Sequence, residues 1–211
     1  MIEIDKIRYP ELERIANLKP NPEILLGQEI YWTVKRDGSN IGVYLDDEDN
    51  IQLRSRNLPI ASDMFYSGFK QVTHADAIKE MILNERDYGD EIVVFGEMLM
   101  KGRSPTRIEM HEDFDYVVFD IWSTKQNRFL HYNKVYQTCY HFDIPVVDLY
   151  GTCNVSTIES LYKFKDEMIA KAKDNSMEGV VGKVWAELPW NCGEGVGTKR
   201  GIVYFKEKHD L

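Results

Sequence analysis

The sequence predicts an α+β fold in which largely antiparallel sheets are flanked by helices. Three observations carry that expectation. Short runs rich in Val, Ile, Tyr, Phe and Trp recur along the chain. Turn signals in the first half fall at hairpin-like spacing. Segments with apolar residues at helical spacing separate the later strands. With 211 residues, 43% hydrophobic and 29% charged, the chain can bury a sizeable core and has an ordinary soluble composition.

Taken in order, the first residues up to Asn21 read as a lead-in strand, a short helix over PELERIAN and a loop closed by Pro20 and Pro22. Glu29 to Val34 reads as a strand entering KRDGSN, Lys35 to Asn40. Asp37-Gly38 there predicts a turn, with Lys35 at the mouth of a hairpin. Ile41 to Leu45 and Ile51 to Arg54 pair around the acidic turn DDEDN. Thr73 to Arg86 is helical, with Ala77, Ile78, Met81 and Ile82 on one side. EIVVFGEM is a strand containing Gly96, residues 101–113 are polar and irregular, and Asp115 to Trp122 is a second strong strand. His131 to Phe142 and Thr157 to Lys173 are helical; Met177 to Trp185 and Gly201 to Lys208 are strands.

The net charge of −9 excludes a protein that binds nucleic acid over its whole surface, because phosphate contacts need Lys and Arg. Such a role requires a local basic surface on an acidic body. Two clusters offer one: KGRSPTR, Lys101 to Arg107, and the group Lys199, Arg200, Lys206 and Lys208. The first serves equally as a solvated loop. Cys139, Cys153 and Cys192 are odd in number and lack CxxC spacing, which argues against a disulfide framework or structural zinc. The start lacks the apolar core of a signal peptide and no stretch has membrane-span length; a reducing cytoplasmic setting with no membrane partner is the expectation.

Taken singly, each polar piece of the pattern has an ordinary structural role: a turn lysine, an edge carboxylate, a core phenylalanine, a bulge glycine, a solvated KEK. Their order is what is specific. KRDGSN is followed by SRN at Ser55 to Asn57, FGEM around Glu97, VVFDI around Phe119, EGVVGK from Glu178 to Lys183, and FKEK around Lys206 and Lys208. This set resembles the covalent nucleotidyltransferase superfamily of ATP-dependent RNA and DNA ligases and mRNA capping enzymes, over most of the chain from about Glu29 to Lys208. The resemblance implies the nucleotidyltransferase (ligase adenylation domain) fold over residues 1–211 as a single domain.

It also implies roles. Lys35 would be the nucleophile that attacks the α-phosphorus of ATP to give a lysyl-AMP. An amine with an ordinary pKa near 10.4 must be activated by nearby charge or desolvation. Lys206 and Lys208, two apart on a strand, share a face and would hold the α-phosphate. Glu178 would anchor Mg2+ or Mn2+, since hard cations choose carboxylate oxygen. Glu97 would contact ribose hydroxyls. Phe119 would stack on the purine, though by alternation it shares a face with Val117 and Ile121, which leaves a core role open. Arg56 would contact the sugar or phosphates, with Arg54 on the same side of the strand as a substitute. Lys183 would lie near the phosphates, while Asp37, Gly38 and Asp120 would support the site.

Asn40 narrows the resemblance. K-x-x-G-x-N is similar to the RNA ligase 2 family, where DNA ligases and capping enzymes commonly carry Arg. In that family the asparagine contacts the reacting phosphate; a turn role is equally suited to Asn. RNA ends are then the expected partner. Two departures stand out. Thr33 and Val34 occupy positions where relatives carry a carboxylate that reads adenine, so ATP use rests on resemblance. The three residues after Lys208 leave no room for an OB-fold or helical domain, so a minimal enzyme or an excised domain is expected. A DNA ligase adenylation domain, a capping guanylyltransferase and a catalytically inactive binding module remain the alternatives. The biological RNA (repair, tRNA or editing), strand preference and oligomeric state stay open.

Overall fold

The computed structural model describes residues 2–18, 21–102, 110, 112–186 and 202–209. The expected α+β class holds. Its strands are β1 (Glu29–Lys35), β2 (Ser39–Leu45), β3 (Ile51–Ser55), β4 (Ile92–Met100), β5 (Phe114–Ser123), β6 (Arg128–Phe129), β7 (Leu149–Asn154), β8 (Gly179–Trp185) and β9 (Ile202–Lys208). Its helices are α1 (Asp63–Phe69), α2 (Ala75–Asp87), α3 (Tyr132–His141) and α4 (Ile158–Asp174). Every pairing between these strands is antiparallel. The chain divides into two units, one built from Met1–Arg8 and Asp37–Val146, the other from Tyr9–Arg36 and Val147–Leu211.

The first unit holds the sheet β3-β2-β4-β5-β6 with α1, α2 and α3. Its core joins Ile41, Val43 and Leu53 from the β2–β3 hairpin to Ile78, Met81 and Ile82 of α2 and Val135 and Cys139 of α3. Gly96 is needed at the centre of this sheet. A Cβ there would lie 2.4 Å from the Tyr116 ring, which crosses above it. The Tyr116 hydroxyl donates between the carbonyls of Ile41, at 2.8 Å, and Val94, at 2.9 Å.

The second unit holds the sheet β7-β1-β8-β9 backed by α4. Ile30 and Trp32, Val180 and Val184, and Val203 and Phe205 bury one face of this sheet with Leu161, Met168 and Ala172 of α4. The helix starts at a capping box: Thr157 accepts from the Ser160 N–H at 3.0 Å, and Ser160 Oγ accepts from Thr157 N–H at 3.1 Å.

Three expectations are corrected. KRDGSN does not close a hairpin: β1 pairs with β7 and β8, β2 with β3 and β4. Both edges of β1 are filled within its own sheet, so the chain leaves β1 for another. PELERIAN forms only a 3₁₀ turn at Ile15–Asn17, because Glu13 bridges Phe205 and its carbonyl accepts from Lys206 N–H at 2.9 Å. The lead-in strand is replaced by a 3₁₀ turn at Ile4–Lys6. Helix α1 and strand β7 were unanticipated; each is short and carries a glycine, which weakens its local pattern.

Arg103, Arg107, Lys199, Arg200, Pro20, Cys192 and Gly201 fall outside the described residues, as does most of the polar segment 101–113. Among the described residues no helix is long and apolar enough to cross a membrane, and Cys139 and Cys153 are free thiols.

Gly96→Ala is expected to destabilise the chain by about 1–3 kcal/mol through overpacking against Tyr116. Urea denaturation measures it, and the penalty should shrink in a Tyr116→Ala background, the coupling expected of touching residues.

Candidate active site

In the second unit, strand register assembles three rows across β1, β8 and β9: Tyr31–Lys183–Tyr204, Thr33–Val181–Lys206 and Lys35–Gly179–Lys208. Directly opposed residues point to one face of a sheet. The alternate positions, Trp32, Val180 and Phe205 among them, belong to the core face. Lys35, Lys206, Lys208 and Lys183 therefore share the other face, as period two predicted for the pair on β9.

The last row is joined by a cluster of ion pairs. Adjacent strands lie about 4.8 Å apart, so β1 and β9 are separated by roughly 10 Å across β8. Glu178, just before Gly179, closes that gap: Oε2 accepts from Lys35 Nζ and Oε1 from Lys208 Nζ. The side chains of Lys35, Glu178 and Lys208 are 21%, 13% and 38% exposed, so the cluster is only partly open to solvent. Burial pushes the Glu178 carboxyl up, but hydrogen bonds and charge from Lys208 and Lys35 outweigh it and hold the group below its ordinary value. Gly179 permits the row: a Cβ would sit 2.1 Å from the Glu207 carbonyl oxygen, and that contact is backbone.

Lys183 is placed on the same face but is buried, with Nζ 5.2 Å from the centre of the Tyr204 ring. Lys206 is half-buried. Glu207, between the two lysines of β9, does not belong to a solvated KEK. It is 7% exposed and accepts from the Ile15 N–H at 2.8 Å. Gly179 and Glu207 are the positions that motif reasoning passed over. Period two in FKEK was the available signal for Glu207, since its neighbours face the other way.

In the first unit, Asn40 of β2 lies opposite Glu97 of β4, and Glu97 opposite Val117 of β5. Glu97 Oε1 accepts from the Gly38 N–H at 2.9 Å, which ties the Asp37-Gly38 corner to β4. A Cβ at Gly38 would lie 2.6 Å from the Met98 carbonyl oxygen, so close approach is what requires glycine there. Asn40 Oδ1 is buried with no hydrogen-bond partner among the described residues. An acceptor left unpaired in this way costs about 1–3 kcal/mol.

Phe119 is the extra residue of a β-bulge. Phe95 opposes Asp120 and Gly96 opposes Val118, leaving Phe119 between them. The bulge re-phases the strand, so Val118 and Ile121 both enter the core cluster. The expected sharing of a face by Phe119 and Ile121 is thus corrected, and Phe119 stays half-buried outside that cluster. Asp120 is fully buried. Arg56 is exposed just past the end of β3. Arg54 is not its substitute: it is buried, and its guanidinium donates to the carbonyls of Ile4, at 2.7 Å, and Ile7.

Residues 28–206 match the family model described as RNA ligase. Among solved structures, a Naegleria gruberi RNA ligase with pyrophosphate is 20% identical with a TM-score of 0.68, over 99% of this chain and 57% of that one. A mutant of that enzyme with ATP and manganese is 19% identical with a TM-score of 0.67, over 99% and 57%. An archaeal ATP-dependent RNA ligase is 16% identical with a TM-score of 0.64, over 95% and 48%. At these identities the likeness is one of fold. The chain spans 57% of the length of the Naegleria enzyme. No curated protein matches it.

Glu178→Gln removes the one negative charge shared by two ammonium groups. It is expected to lower unfolding free energy by about 1–2 kcal/mol, less than for a fully buried pair because Lys208 is partly solvated. Urea denaturation of both proteins measures the difference.

Proposed function

The chain belongs to the RNA ligase family, and from that membership we propose that it is an ATP-dependent RNA ligase of the RNA ligase 2 type, working through a lysyl-AMP on Lys35. The observation that carries this reading is the row Lys35–Gly179–Lys208 with Glu178 bridging its two lysines. It puts an amine at a strand end, a second cation beside it, and one carboxylate oriented to both.

The Lys35 amine attacks the α-phosphorus. The Nζ–P bond forms as the bond to the β-phosphate oxygen breaks, pyrophosphate carries off the electron pair, and the amine's proton passes to solvent. Lys208 and Lys206 set positive charge on the same face as Lys35, where negative charge grows in the transition state. The bound AMP then passes to a 5′-phosphate, and a 3′-hydroxyl displaces it to join the strands.

Among the described residues there is no group of three or more His, Cys, Asp or Glu that would cage a metal. The single Glu178 carboxylate suits Mg2+ or Mn2+ held in the manner of phosphate-transfer sites, by one or two carboxylates, substrate phosphates and water. Such an ion would supply positive charge beside the phosphates. The Naegleria structures with ATP, AMP, manganese and pyrophosphate support the same ligand set.

For the nucleoside and sugar, the reading assigns ribose hydroxyls to Glu97, the purine face to Phe119, and the sugar or phosphate side to Arg56. Asn40, whose buried carbonyl oxygen awaits a donor, takes the reacting end of the substrate. Lys183 adds charge from within the sheet, and Asp37, Gly38 and Asp120 hold the surrounding backbone. The free thiols of Cys139 and Cys153 suit a reducing, cytoplasmic setting.

Incubation with α-labelled ATP and a divalent cation should leave label on the denatured chain. Label should be absent from Lys35→Ala and after chelation of the metal, and GTP should not substitute. Covalent label retained by Lys35→Ala would remove Lys35 from its role. On a pre-adenylylated donor, an RNA 3′-hydroxyl strand should be joined in preference to DNA. Each phosphate contact adds roughly −0.7 to −0.9 to the log–log salt slope, so RNA binding through these cations should weaken as salt is raised from about 50 to about 200 mM, and titrations at several salt concentrations read the slope.

A further inference from the structure

One surface feature has no part in that chemistry. Helix α3 carries Tyr132, Tyr136 and Tyr140, each one helical turn from the next. The rings of Tyr132 and Tyr136 lie 6.3 Å apart at 28°, those of Tyr136 and Tyr140 6.0 Å apart at 18°, so the three form a stacked row. Tyr132 is 6% exposed and anchors the row, whereas Tyr136 is 50% and Tyr140 72% exposed. Val135 and Cys139 are buried on the same helix with Tyr132 and enter the core cluster, which fixes the orientation of the helix. Asn133 and Gln137, also exposed and also one turn apart, run beside the tyrosines.

The stretch of sequence that carries this row is unlike the rest of the chain in charge. The protein carries 35 acidic residues, yet no Asp or Glu occurs between Asp120 and Asp143. That stretch holds Lys125, Arg128 and Lys134 and, at the two ends of α3, His131 and His141. A helix meant only to keep an acidic protein in solution has no need of exposed aromatic rings or of a sequence without carboxylates. A polyanion with unpaired bases needs both: π-faces on which bases stack, amides that bond base edges, and no repulsion of its phosphates.

We propose that the exposed tyrosine row of α3 is a stacking platform for single-stranded RNA, apart from the Lys35 chemistry. A base extends the row on the outward face of Tyr140, with the partly exposed Tyr136 ring behind it; Asn133 and Gln137 meet base edges, and Lys134 contributes to the phosphate contacts. The choice of RNA rests on the ligase reading; the platform itself rests on the α3 geometry.

The test uses the whole chain and an adenine-rich, fluorescently labelled single-stranded RNA, with a duplex of the same sequence as comparison. Tyr136→Ala/Tyr140→Ala should weaken the Kd for the single strand at least about fivefold, the low end for loss of one stacked base. Duplex affinity should change less than about twofold and the salt slope should hold. Tyr136→Phe/Tyr140→Phe, which keeps the rings, should bind within about twofold of the parent. Lys134→Ala should reduce the salt slope by about one. On the unmodified protein, the single strand should protect Tyr136 and Tyr140 from nitration. Unchanged single-strand affinity in the alanine pair, or nitration indifferent to RNA, overturns the proposal. So does a change confined to self-association, read by sedimentation, which would make the row a contact between protein chains. A chain that labels Lys35 but leaves both tyrosines unprotected loses this inference alone; one that protects them without labelling Lys35 loses the ligase reading alone.

Discussion

The placement of β8 between β1 and β9 is the constraint on which the charged cluster of the second unit depends. Lys35 and Lys208 lie at opposite ends of the sequence, and neither approaches Glu178 through local structure. They meet because Gly179 pairs with both at once. A slip of one residue in either pairing would turn a lysine into the core and a core side chain out. The register is held at two places on the core face. Trp32 and Phe205 pack edge to face on the core side, with ring centres 5.4 Å apart, and Glu207 buries its carboxylate against the Ile15 N–H. The glycine keeps β8 and β9 close enough for one carboxylate to serve two ammonium groups.

The first unit uses the same device in another form. Glu97 is held in place by the Gly38 N–H, and Asn40 stands opposite it on the neighbouring strand. Here too a glycine removes a side chain where backbone approaches backbone. The bulge at Phe119 then departs from regular pairing and frees one aromatic ring from the core while its neighbours Val118 and Ile121 remain inside. Sheets have few ways to aim a side chain off their two faces, and a bulge is one of them.

Electrostatics reconciles an acidic chain with the polyanionic substrate proposed for it. The net charge of −9 repels phosphate at long range, but that repulsion is screened beyond about 8–10 Å at ordinary ionic strength. What acts on a bound phosphate is the local set of cations, and Lys35, Lys206 and Lys208 share one face. Three lysines gathered without a counter-charge would repel one another. Glu178, bonded to Lys35 and Lys208, offsets that repulsion.

Much of this was legible in the chain. Alternation located the strands around Trp32, Phe95, Val118 and Val181, and helical spacing located α2, α3 and α4 to within a few residues. The order of short polar motifs pointed to the family, and period two put Lys206 and Lys208 on one face. These signals are local: they depend on dihedral preferences and on the repeat of side chains along one element. Tertiary structure decided the rest. It decided that β1 does not fold back on β2, because both of its edges are filled by β7 and β8. It drew residues 13–15 alongside β9 in place of a helix, recruited Arg54 to the Ile4 and Ile7 carbonyls, and inserted the bulge that re-phases β5. Each of these outcomes concerns which distant backbone or side chain satisfies a given edge, donor or face. No window of the sequence contains both partners of such a choice, so a local pattern names the pieces and only the packed chain pairs them.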